Sequence, residues 1–452
     1  MDQSLAGALR RLDDAGELLR VPGPVSVEFD MAAVLWELSH GPAVVFEDVI
    51  GHSMPVVGNL LNRRDKLAVA LGVPLPELQG RLATALADPL PPEQVPAGAW
   101  ADQVLPGDVD LGRLLPIPYV NEHDGGRYIT AGLLFCRDPA SGRHNVSICR
   151  MHLLETGGLS LFLAPTQSRA FLERHREAGT RMEVAVALGV HPAVTVASQF
   201  LTPHDERGIA GGLLGEPLRV ARCRTVDVSV PAEADIVLEG FIDPEVRAVE
   251  GPFGEISGAY AGGGQGPLLQ ITGVGTRSTP MFPMIVGGGH PEHLVTGALA
   301  REAGLLESIR RVVPGVRGVR LTEGGMCRFH AVIAIDKQFE GEGKTAGLAA
   351  LGAQDLLKMV TVVDADVDLD DHSAVEWAVA TRMAAREDLL LLPGLKSNPI
   401  DPTATDGMVT KVLIDATVPL SRKRTLRSAV GVPAAAAEKA RRIIADARRP
   451  PG

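Results

Sequence analysis

The strongest constraint on the fold is a change of pattern along the chain. Between about residues 128 and 275, short β-branched or apolar runs such as ITAGLLFCRD, AVTVASQFL and PLLQITGVGTR are bounded by Gly, Pro and Asp. Such runs predict strands and therefore a β-rich domain. A long helical pattern then stops near Pro314, and strand patterns alternate with helical ones, as in FHAVIAID and KTAGLAALGAQDLL. This alternation favours a smaller α/β domain.

These patterns divide the chain into four predicted parts. A chain of 452 residues exceeds what one hydrophobic core usually serves. We predict an N-terminal helical and mixed region at 1–109, a β-rich domain at 110–295, a connecting helix at 296–314 and a C-terminal α/β domain at 315–452. Within the first part, the helical period of residues 1–20 predicts one amphipathic helix.

Charge and cysteine content exclude several classes of protein. The formal net charge is −11, from 55 acidic and 44 basic side chains, which opposes general binding to nucleic acid or an anionic membrane. No apolar run approaches the length that crosses a bilayer, and the charged N-terminus does not resemble a signal peptide. The four cysteines include no CxxC pair, so we expect a reduced, cytoplasmic protein without a zinc finger.

Two acidic residues flank a segment that cannot form a regular helix. The string VEGPFGEISG places Glu250 and Glu255 on either side of Gly-Pro-Phe-Gly. A bend at the glycines and the proline can direct both carboxylates into one cavity. Two neighbouring carboxylates can then separate into a proton donor and an ionised partner. The same string also fits a turn with two solvated acids, and its spacing leaves both interpretations open.

Two further segments carry polar groups in unusual settings. In HNVSICRMHLL, Asn145 and Arg150 lie on a run with the pattern of a buried strand. A buried Arg needs a carboxylate or phosphate partner, so Arg150 fits either a structural ion pair or a functional site. In TPHDERGIAGG, His204, Asp205 and Glu206 fit either a metal site or a solvated turn. Nothing matches the GxxxxGK[ST] phosphate loop or a GxGxxG string placed between a strand and a helix.

Taken in order, several strings resemble the UbiD family of reversible decarboxylases. They are NVSICR at 145–150, DERGIAGGLLGEP at 205–217, VPAEADIVLEG at 230–240, EGPFGE at 250–255, DADVDL at 364–369, WAVATR at 377–382 and IDAT at 414–417. The resemblance extends from about residue 10 to 430. It implies a UbiD-like fold of the α+β or α/β class. In this fold, a β-rich flavin-binding domain of split-barrel type is joined by a long helix to a smaller α/β C-terminal domain.

The resemblance also implies a reaction. Members of the family use prenylated FMN, supplied by a flavin prenyltransferase, to decarboxylate small α,β-unsaturated or aromatic carboxylic acids. Their Glu-Arg-Glu network corresponds to Glu250, Arg150 and Glu255 here. By this resemblance, Glu255 delivers the proton that replaces CO2. Arg150 holds the substrate carboxylate and couples the two glutamates, which agrees with the effect of a cation on neighbouring acids.

A third implication concerns the cofactor phosphate, which the family binds through Mn2+ (or Mg2+) and K+. Asn145 and Glu206 match two metal ligands of the family, and Ser168 stands where the family has a histidine. Hard cations accept oxygen donors, but a hydroxyl is a poorer ligand than imidazole, so we expect weak metal binding. The resemblance places the following residues at the cofactor: Asn145, Ser147, Ile148, Cys149, Arg150, Gln167, Ser168, Ser198, Phe200 and Glu206.

Two other functions remain open at this stage. A carboxylate pair also serves glycoside hydrolases, although only 4% of the residues are aromatic and sugar sites commonly use stacked aromatic rings. The chain could alternatively be a non-catalytic assembly partner that kept the fold. For assembly itself, the resemblance implies a homodimer or homohexamer with contacts through residues 315–452.

Overall fold

We describe the protein from a computed structural model, which covers residues 1–164, 166–261, 263–398, 400–422 and 432–447. The first part alternates short helices and strands. Its elements are α1 Leu5–Asp14, β1 Leu18–Val25, α2 Asp30–Glu37, β2 Ala43–Val49, β3 Val56–Gly58, α3 Arg64–Leu71, α4 Leu78–Ala87, β4 Glu93–Val95, β5 Gln103–Pro106 and α5 Leu111–Leu114.

The prediction of one helix over residues 1–20 is wrong beyond residue 14. Ser4 caps α1 by accepting a hydrogen bond from the Gly7 amide at 3.0 Å, and the helix ends at Asp14. Gly16 then adopts a φ of +71°, a left-handed conformation that glycine takes at little cost. The chain continues as β1, which pairs in parallel with β2, so sheet pairing overrides the helical pattern there.

The middle part is mostly β-structure, as predicted. Its elements are β6 Tyr128–Ile129, β7 Leu133–Arg137, β8 His144–Ile148, β9 Met151–Leu153, β10 Leu159–Leu161, α6 Gln167–Glu177, β11 Met182–Leu188, α7 Pro192–Ala197, α8 Glu206–Leu214, β12 Arg219–Arg222, β13 Ser229–Pro231, β14 Ile236–Glu250, β15 Phe253–Gly254, β16 Tyr260–Ala261, β17 Gly264–Thr276 and β18 Phe282–Pro283. Strand β18 returns to the first part and joins a four-stranded sheet in the order β1-β2-β3-β18.

A nine-stranded sheet forms the centre of the molecule. Eight of its strands follow the order β6-β9-β10-β17-β14-β11-β7-β8, and β5 adds to β17. Side chains alternate between the faces of a strand, so Val184 and Val186 of β11 enter one hydrophobic core while Ala185 and Ala187 enter another. Because both faces are covered, β11 is apolar on both sides, which explains its almost continuous run of apolar residues.

One predicted strand in this part, AVTVASQFL, is wrong. Residues Pro192–Ala197 form α7, with Pro192 at the first helical position and His191 as the N-cap. The His191 Nδ1 atom accepts a hydrogen bond from the Ala193 amide at 3.1 Å. The β-branched valines and threonine favoured a strand, but the cap and the proline start a helix that packs on α8.

The last part is an α/β unit that begins with a 20-residue helix. Its elements are α9 Pro291–Arg310, β19 Val316–Leu321, β20 His330–Ile335, α10 Glu342–Ala353, β21 Met359–Asp364, α11 His372–Arg382, α12 Ala385–Asp388, β22 Leu389–Lys396, β23 Met408–Ala416 and α13 Ala434–Ala447. A five-stranded sheet has the order β19-β20-β21-β23-β22. Helices α9 and α10 pack into one core at this sheet and α11 into another.

The predicted α+β or α/β class is therefore confirmed. An antiparallel β-rich region and a mixed α/β region are connected through α9. Among the helices of the described ranges, none combines the length and the apolar character that crossing a membrane requires.

Candidate active site

A cavity of about 210 Å³ lies where the nine-stranded sheet faces α9 and the turn before β20. The end of β8, the segment after β10, the bend after β14 and α9 each contribute to its wall. Its lining residues are Thr130, Ser147, Ile148, Cys149, Arg150, Phe162, Leu163, Ala164, Thr166, Ser168, Gln199, Phe253, Glu255, Ile285, Gly287, His293, Thr296 and Arg328.

Arg150 links the two glutamates at one end of this cavity. Its Nε donates to Glu250 Oε1 at 2.7 Å, and its Nη2 donates to Glu250 Oε2 at 2.9 Å. Its Nη1 donates to Oε1 of Glu255. The side chains are only 7% exposed for Arg150, 6% for Glu250 and 15% for Glu255. The three charges therefore form a connected network that is largely shielded from water.

The Gly-Pro-Phe-Gly bend is what brings the two glutamates together. Glu250 is the last residue of β14, paired with Gly264 of β17, and Gly251 follows with a φ of +83°. The Gly254 amide donates to Asp124 Oδ1 at 2.9 Å, and Phe253–Gly254 form the short strand β15. Both ends of the bend are thus fixed, and the side chain of Glu255 turns back to Arg150. The solvated-turn interpretation of this string does not describe the structure.

Two phenylalanines cover the guanidinium group. The Arg150 Cζ atom lies 4.3 Å from the ring centroid of Phe162 and 5.0 Å from that of Phe253. At these distances the ring faces attract a cation, and they also keep water from it. The site therefore uses aromatic residues for its charged centre although the whole chain contains few of them.

Burial also changes the acidity of the groups around the network. Burial raises the pKa of Glu255, and the opposing charge of Arg150 does not cancel this rise. For Arg150, burial alone would lower the pKa, but its hydrogen bonds and its two carboxylate neighbours raise it overall. Glu255 can therefore hold a proton while Arg150 keeps its charge, which is the division of roles that proton delivery to a bound molecule requires.

A second polar cluster lies beside the cavity. Asn145 Nδ2 donates to Ser168 Oγ at 2.8 Å, and the hydroxyl groups of Ser147 and Ser168 are also 2.8 Å apart. Glu206 approaches from α8, and its Oε2 accepts a hydrogen bond from the Val146 amide at 3.0 Å. Burial raises the pKa of Glu206 to about 7. The cluster offers amide, hydroxyl and carboxylate oxygens, a donor set that suits a hard divalent cation.

The other residues predicted at the cofactor have different positions. Ile148 and Cys149 line the cavity. Gln167 instead donates to the Thr202 carbonyl at 2.6 Å, and Ser198 donates to the Thr195 carbonyl at 2.7 Å. The lining also excludes Phe200, which is buried in a hydrophobic core.

The neighbouring residues His204 and Asp205 form a turn. Of the two interpretations of the string TPHDERGIAGG, a metal site or a solvated turn, the turn describes these two residues. Asp205 caps α8 by accepting from the Arg207 amide at 3.0 Å, and His204 is exposed. Across the part of the chain that the structure describes, no three His, Cys, Asp or Glu residues are grouped to hold a metal ion.

Sequence reasoning missed four cavity residues with charged or aromatic side chains. They are Phe162, Phe253, His293 and Arg328. Nothing in the sequence around His293 or Arg328 indicates that these residues line the same cavity as Arg150. Their shared position depends on contacts between distant parts of the chain.

Comparison with known proteins identifies relatives that match most of the chain. Models of the N-terminal domain, the Rift-related domain and the C-terminal domain of 3-octaprenyl-4-hydroxybenzoate carboxy-lyase (UbiD) match residues 9–86, 94–290 and 294–416. Anhydromevalonate phosphate decarboxylase of Methanothermobacter thermautotrophicus is 37% identical over 414 residues, which cover 91% of this chain and 96% of that protein. Phenolic acid decarboxylase of Bacillus subtilis is 30% identical over 443 residues, with 91% and 92% covered.

Solved structures agree with these matches. The UbiD-class enzyme HmfF from Pelotomaculum thermopropionicum in complex with FMN has a TM-score of 0.92 and 41% identity, covering 95% of this chain and 97% of that one. An evolved dimeric form of the same enzyme in complex with prFMN has a TM-score of 0.89 and 39% identity, with 96% and 97% covered. The predicted UbiD-like fold is thereby confirmed.

Proposed function

Since the chain belongs to the UbiD family of carboxy-lyases, we propose that it removes CO2 from an α,β-unsaturated or aromatic carboxylic acid with the help of prenylated FMN. The observation that carries this proposal is the buried Arg150, which lines the cavity and is held between Glu250 and Glu255. Relatives that are named decarboxylases, and one solved with prFMN, support it. Membership of a carboxy-lyase family also argues against the carboxylate-pair hydrolase.

The residues beside the cavity fit a phosphate-bearing flavin. We propose that Asn145, Glu206 and Ser168 hold Mn2+ or Mg2+ at its phosphate, together with K+, because their oxygens form a hard donor set next to the cavity. Backbone groups of Ser147, Ile148 and Cys149 would line the flavin. When bound, prenylated FMN supplies an electron-accepting ring system that activates the substrate for loss of CO2.

In this proposal Arg150 orients the substrate. A guanidinium has five N–H groups, and three of them serve the two glutamates. The remaining two, one on Nη1 and one on Nη2, are free to hold a substrate carboxylate. Glu250 accepts two hydrogen bonds along one edge of the guanidinium group and so fixes the plane in which the substrate is held. Phe162 and Phe253 exclude water from this end.

Glu255 is the proposed proton donor. Its carboxyl group lines the cavity, and burial raises its pKa, so that its protonated form is favoured. Loss of CO2 leaves excess electron density on a substrate carbon, and a positioned acid lowers the barrier to protonating that carbon. The Arg150 hydrogen bond holds Glu255 towards the position of the departing carboxylate.

The test is Glu255→Gln in protein co-expressed with a flavin prenyltransferase. We expect the variant to keep its flavin spectrum and to lose turnover of cinnamic- or benzoic-type acids by about 10²–10⁴-fold. Glu173→Gln is the matched control, because Glu173 lies on α6 outside this cavity and 36% of its side chain is exposed. Near-normal turnover in Glu255→Gln would remove this residue from the mechanism.

Two further outcomes bear on the cofactor and the alternative function. Protein expressed without the prenyltransferase should be flavin-free or carry plain FMN and should be inactive, as measured by mass spectrometry and assay of the same preparation. If loaded wild type decarboxylates no unsaturated or aromatic acid, the chain is better described as an assembly partner that kept the fold.

The organisation of the chain also remains a proposal. We propose that residues 1–109, 110–295, 296–314 and 315–452 act as the four units defined above, and that the protein is a cytoplasmic homodimer or homohexamer. Limited proteolysis and light scattering of the purified protein would test the division and the assembly.

A further inference from the structure

A buried tyrosine contacts the bend that separates the two glutamates. Tyr128 belongs to β6, and its side chain is inaccessible to solvent. Its hydroxyl oxygen accepts a hydrogen bond from the Gly251 amide at 3.0 Å. The same hydroxyl group donates to the Pro252 carbonyl oxygen at 3.4 Å. One side chain therefore satisfies two backbone groups of the bend that leads to Glu255.

The chain just before this tyrosine holds the rest of the bend. Asp124 Oδ1 accepts a hydrogen bond from the Gly254 amide at 2.9 Å, and the Gly125 amide donates to the Pro252 carbonyl oxygen at 2.6 Å. A Cβ atom added at Gly125 would lie only 2.3 Å from the Gly251 carbonyl oxygen. The two backbones approach this closely because glycine has no side chain, so the bend is held by a segment that fits against it.

The ring of Tyr128 connects the bend to the guanidinium group. Its centroid lies 4.7 Å from that of His152, with an interplanar angle of 16°, and 4.7 Å from that of Phe253. Phe253 in turn covers Arg150, whose Cζ atom lies 5.0 Å from the ring centroid. These ring contacts hold the tyrosine in place independently of its hydroxyl group, so the two contributions can be separated by experiment.

The hydroxyl group of Tyr128 keeps its proton at neutral pH. Burial, and then the negative charge of Glu250, raise the pKa of Tyr128 above the usual value of a phenol. The hydroxyl group therefore donates to the Pro252 carbonyl oxygen while it accepts from the Gly251 amide. Tyr128 is absent from the cavity lining, so it contacts the bend rather than a molecule bound in the cavity.

We propose that Tyr128 is a positioning residue for the proton donor. Its hydroxyl group fixes the bend and thereby holds the Glu255 carboxyl group where it contacts Arg150 and faces the substrate. This inference rests on the proposed function, because it explains how the proposed donor is held. Rates of this kind are sensitive to position, since a displacement of about 1 Å can cost on the order of 10²-fold.

The first test is Tyr128→Phe, which removes the hydroxyl group and keeps the ring. In flavin-loaded enzyme, with an unsaturated or aromatic acid that wild type turns over, we expect kcat to fall by about 10–100-fold. KM should change little, because Arg150 still holds the substrate carboxylate. Proton delivery by a displaced donor becomes rate-limiting, so the solvent deuterium isotope effect on kcat should rise.

Tyr119→Phe is the matched control for this variant. The Tyr119 hydroxyl group lies in the same part of the chain and donates to the Asp124 carbonyl oxygen at 2.5 Å, rather than to the bend. Its removal should leave both kcat and the isotope effect near their wild-type values. A difference between the two tyrosine variants therefore reports on the bend and not on the loss of one buried hydrogen bond.

A second measurement needs no turnover. Infrared difference titration of the flavin-loaded enzyme follows the Glu255 carboxyl band, which is assigned by its absence in Glu255→Gln. Burial raises the pKa of Glu255 and Arg150 opposes the rise, so a carboxyl group displaced from Arg150 should titrate at higher pH in Tyr128→Phe. Gly125→Ala should cause the same change, because the added methyl group would collide with the Gly251 carbonyl oxygen.

Three results would overturn the inference. One is wild-type kcat and isotope effect in Tyr128→Phe, and another is an unchanged Glu255 pKa in both Tyr128→Phe and Gly125→Ala. The third is a parallel loss of flavin, substrate affinity and turnover without a change in isotope effect, which would make Tyr128 a residue of general stability. If wild type turns over no acid, the proposed function fails, and the titration still decides whether Tyr128 places Glu255. If Glu255→Gln loses turnover while Tyr128→Phe behaves as wild type, this inference alone fails.

Discussion

Replacing Arg150 with methionine removes the cation that connects Glu250 and Glu255. The guanidinium makes two hydrogen bonds to one acid and one to the other, and all three side chains are at most 15% exposed. In Arg150→Met both carboxylates remain in a wall formed partly by Phe162 and Phe253. Breaking a buried ion pair by removing one partner costs about 3–5 kcal/mol of unfolding free energy, and we expect a loss of this size at pH 8.

The size of this loss should depend on pH, because a buried carboxyl group reduces its penalty by taking up a proton. Burial raises the pKa of Glu255 and Arg150 opposes the rise, so the pKa rises further in the variant. A group whose folded pKa exceeds its unfolded value contributes stability at low pH, which is lost as pH rises through the folded pKa. Each affected carboxyl group adds at most about 1.4 kcal/mol per pH unit. The loss should therefore be smaller at pH 5 than at pH 8.

The measurement is thermal and urea unfolding of flavin-free protein at both pH values, followed by tryptophan fluorescence. Arg64→Met is the matched control: Glu302, which pairs with Arg64, still has Arg320 at 3.8 Å. Its loss of stability should change less with pH. Adding Glu255→Gln to Arg150→Met removes one uncompensated carboxylate and should flatten the pH dependence.

A loss that is the same at both pH values, and equal in Arg150→Met and Arg64→Met, would refute this reasoning. Such a result would mean that water hydrates the two carboxylates once the guanidinium is removed. Arg150 would then organise the cavity through packing against the phenylalanine rings rather than through charge.

Two other changes test the metal cluster and the central sheet. Ser168→His should retain more metal and flavin than wild type after identical dialysis, because imidazole is the better ligand; equal, tight retention in both would contradict the assignment of Ser168. Gly240→Ala should lower the unfolding free energy by about 1–3 kcal/mol, because the added Cβ would collide with the Gln270 carbonyl oxygen in the neighbouring strand. Gly80 lies on α4 with open space around it, so Gly80→Ala should instead stabilise the protein. Urea denaturation checks both glycines, and equal effects would contradict the collision.

The β-rich sheet was predictable because many of its strands coincide with short apolar or β-branched runs bounded by Gly, Pro or Asp. The run ITAGLLFCRD contains β7, and PLLQITGVGTR contains most of β17. The two errors have the opposite origin. β1 follows a helical pattern but pairs with β2, and α7 contains strand-forming residues but begins with His191 and Pro192. In both places a contact or a cap outweighs local propensity.

The same distinction applies to the cavity. Glu250 and Glu255 are separated by glycines and a proline, so their convergence could be anticipated from a short string. Their pairing with Arg150 came only from a family resemblance, because β14 and the end of β8 are distant in sequence. Arg328 could not be predicted at all: it reaches the cavity through a turn with two left-handed residues and through contact with α9.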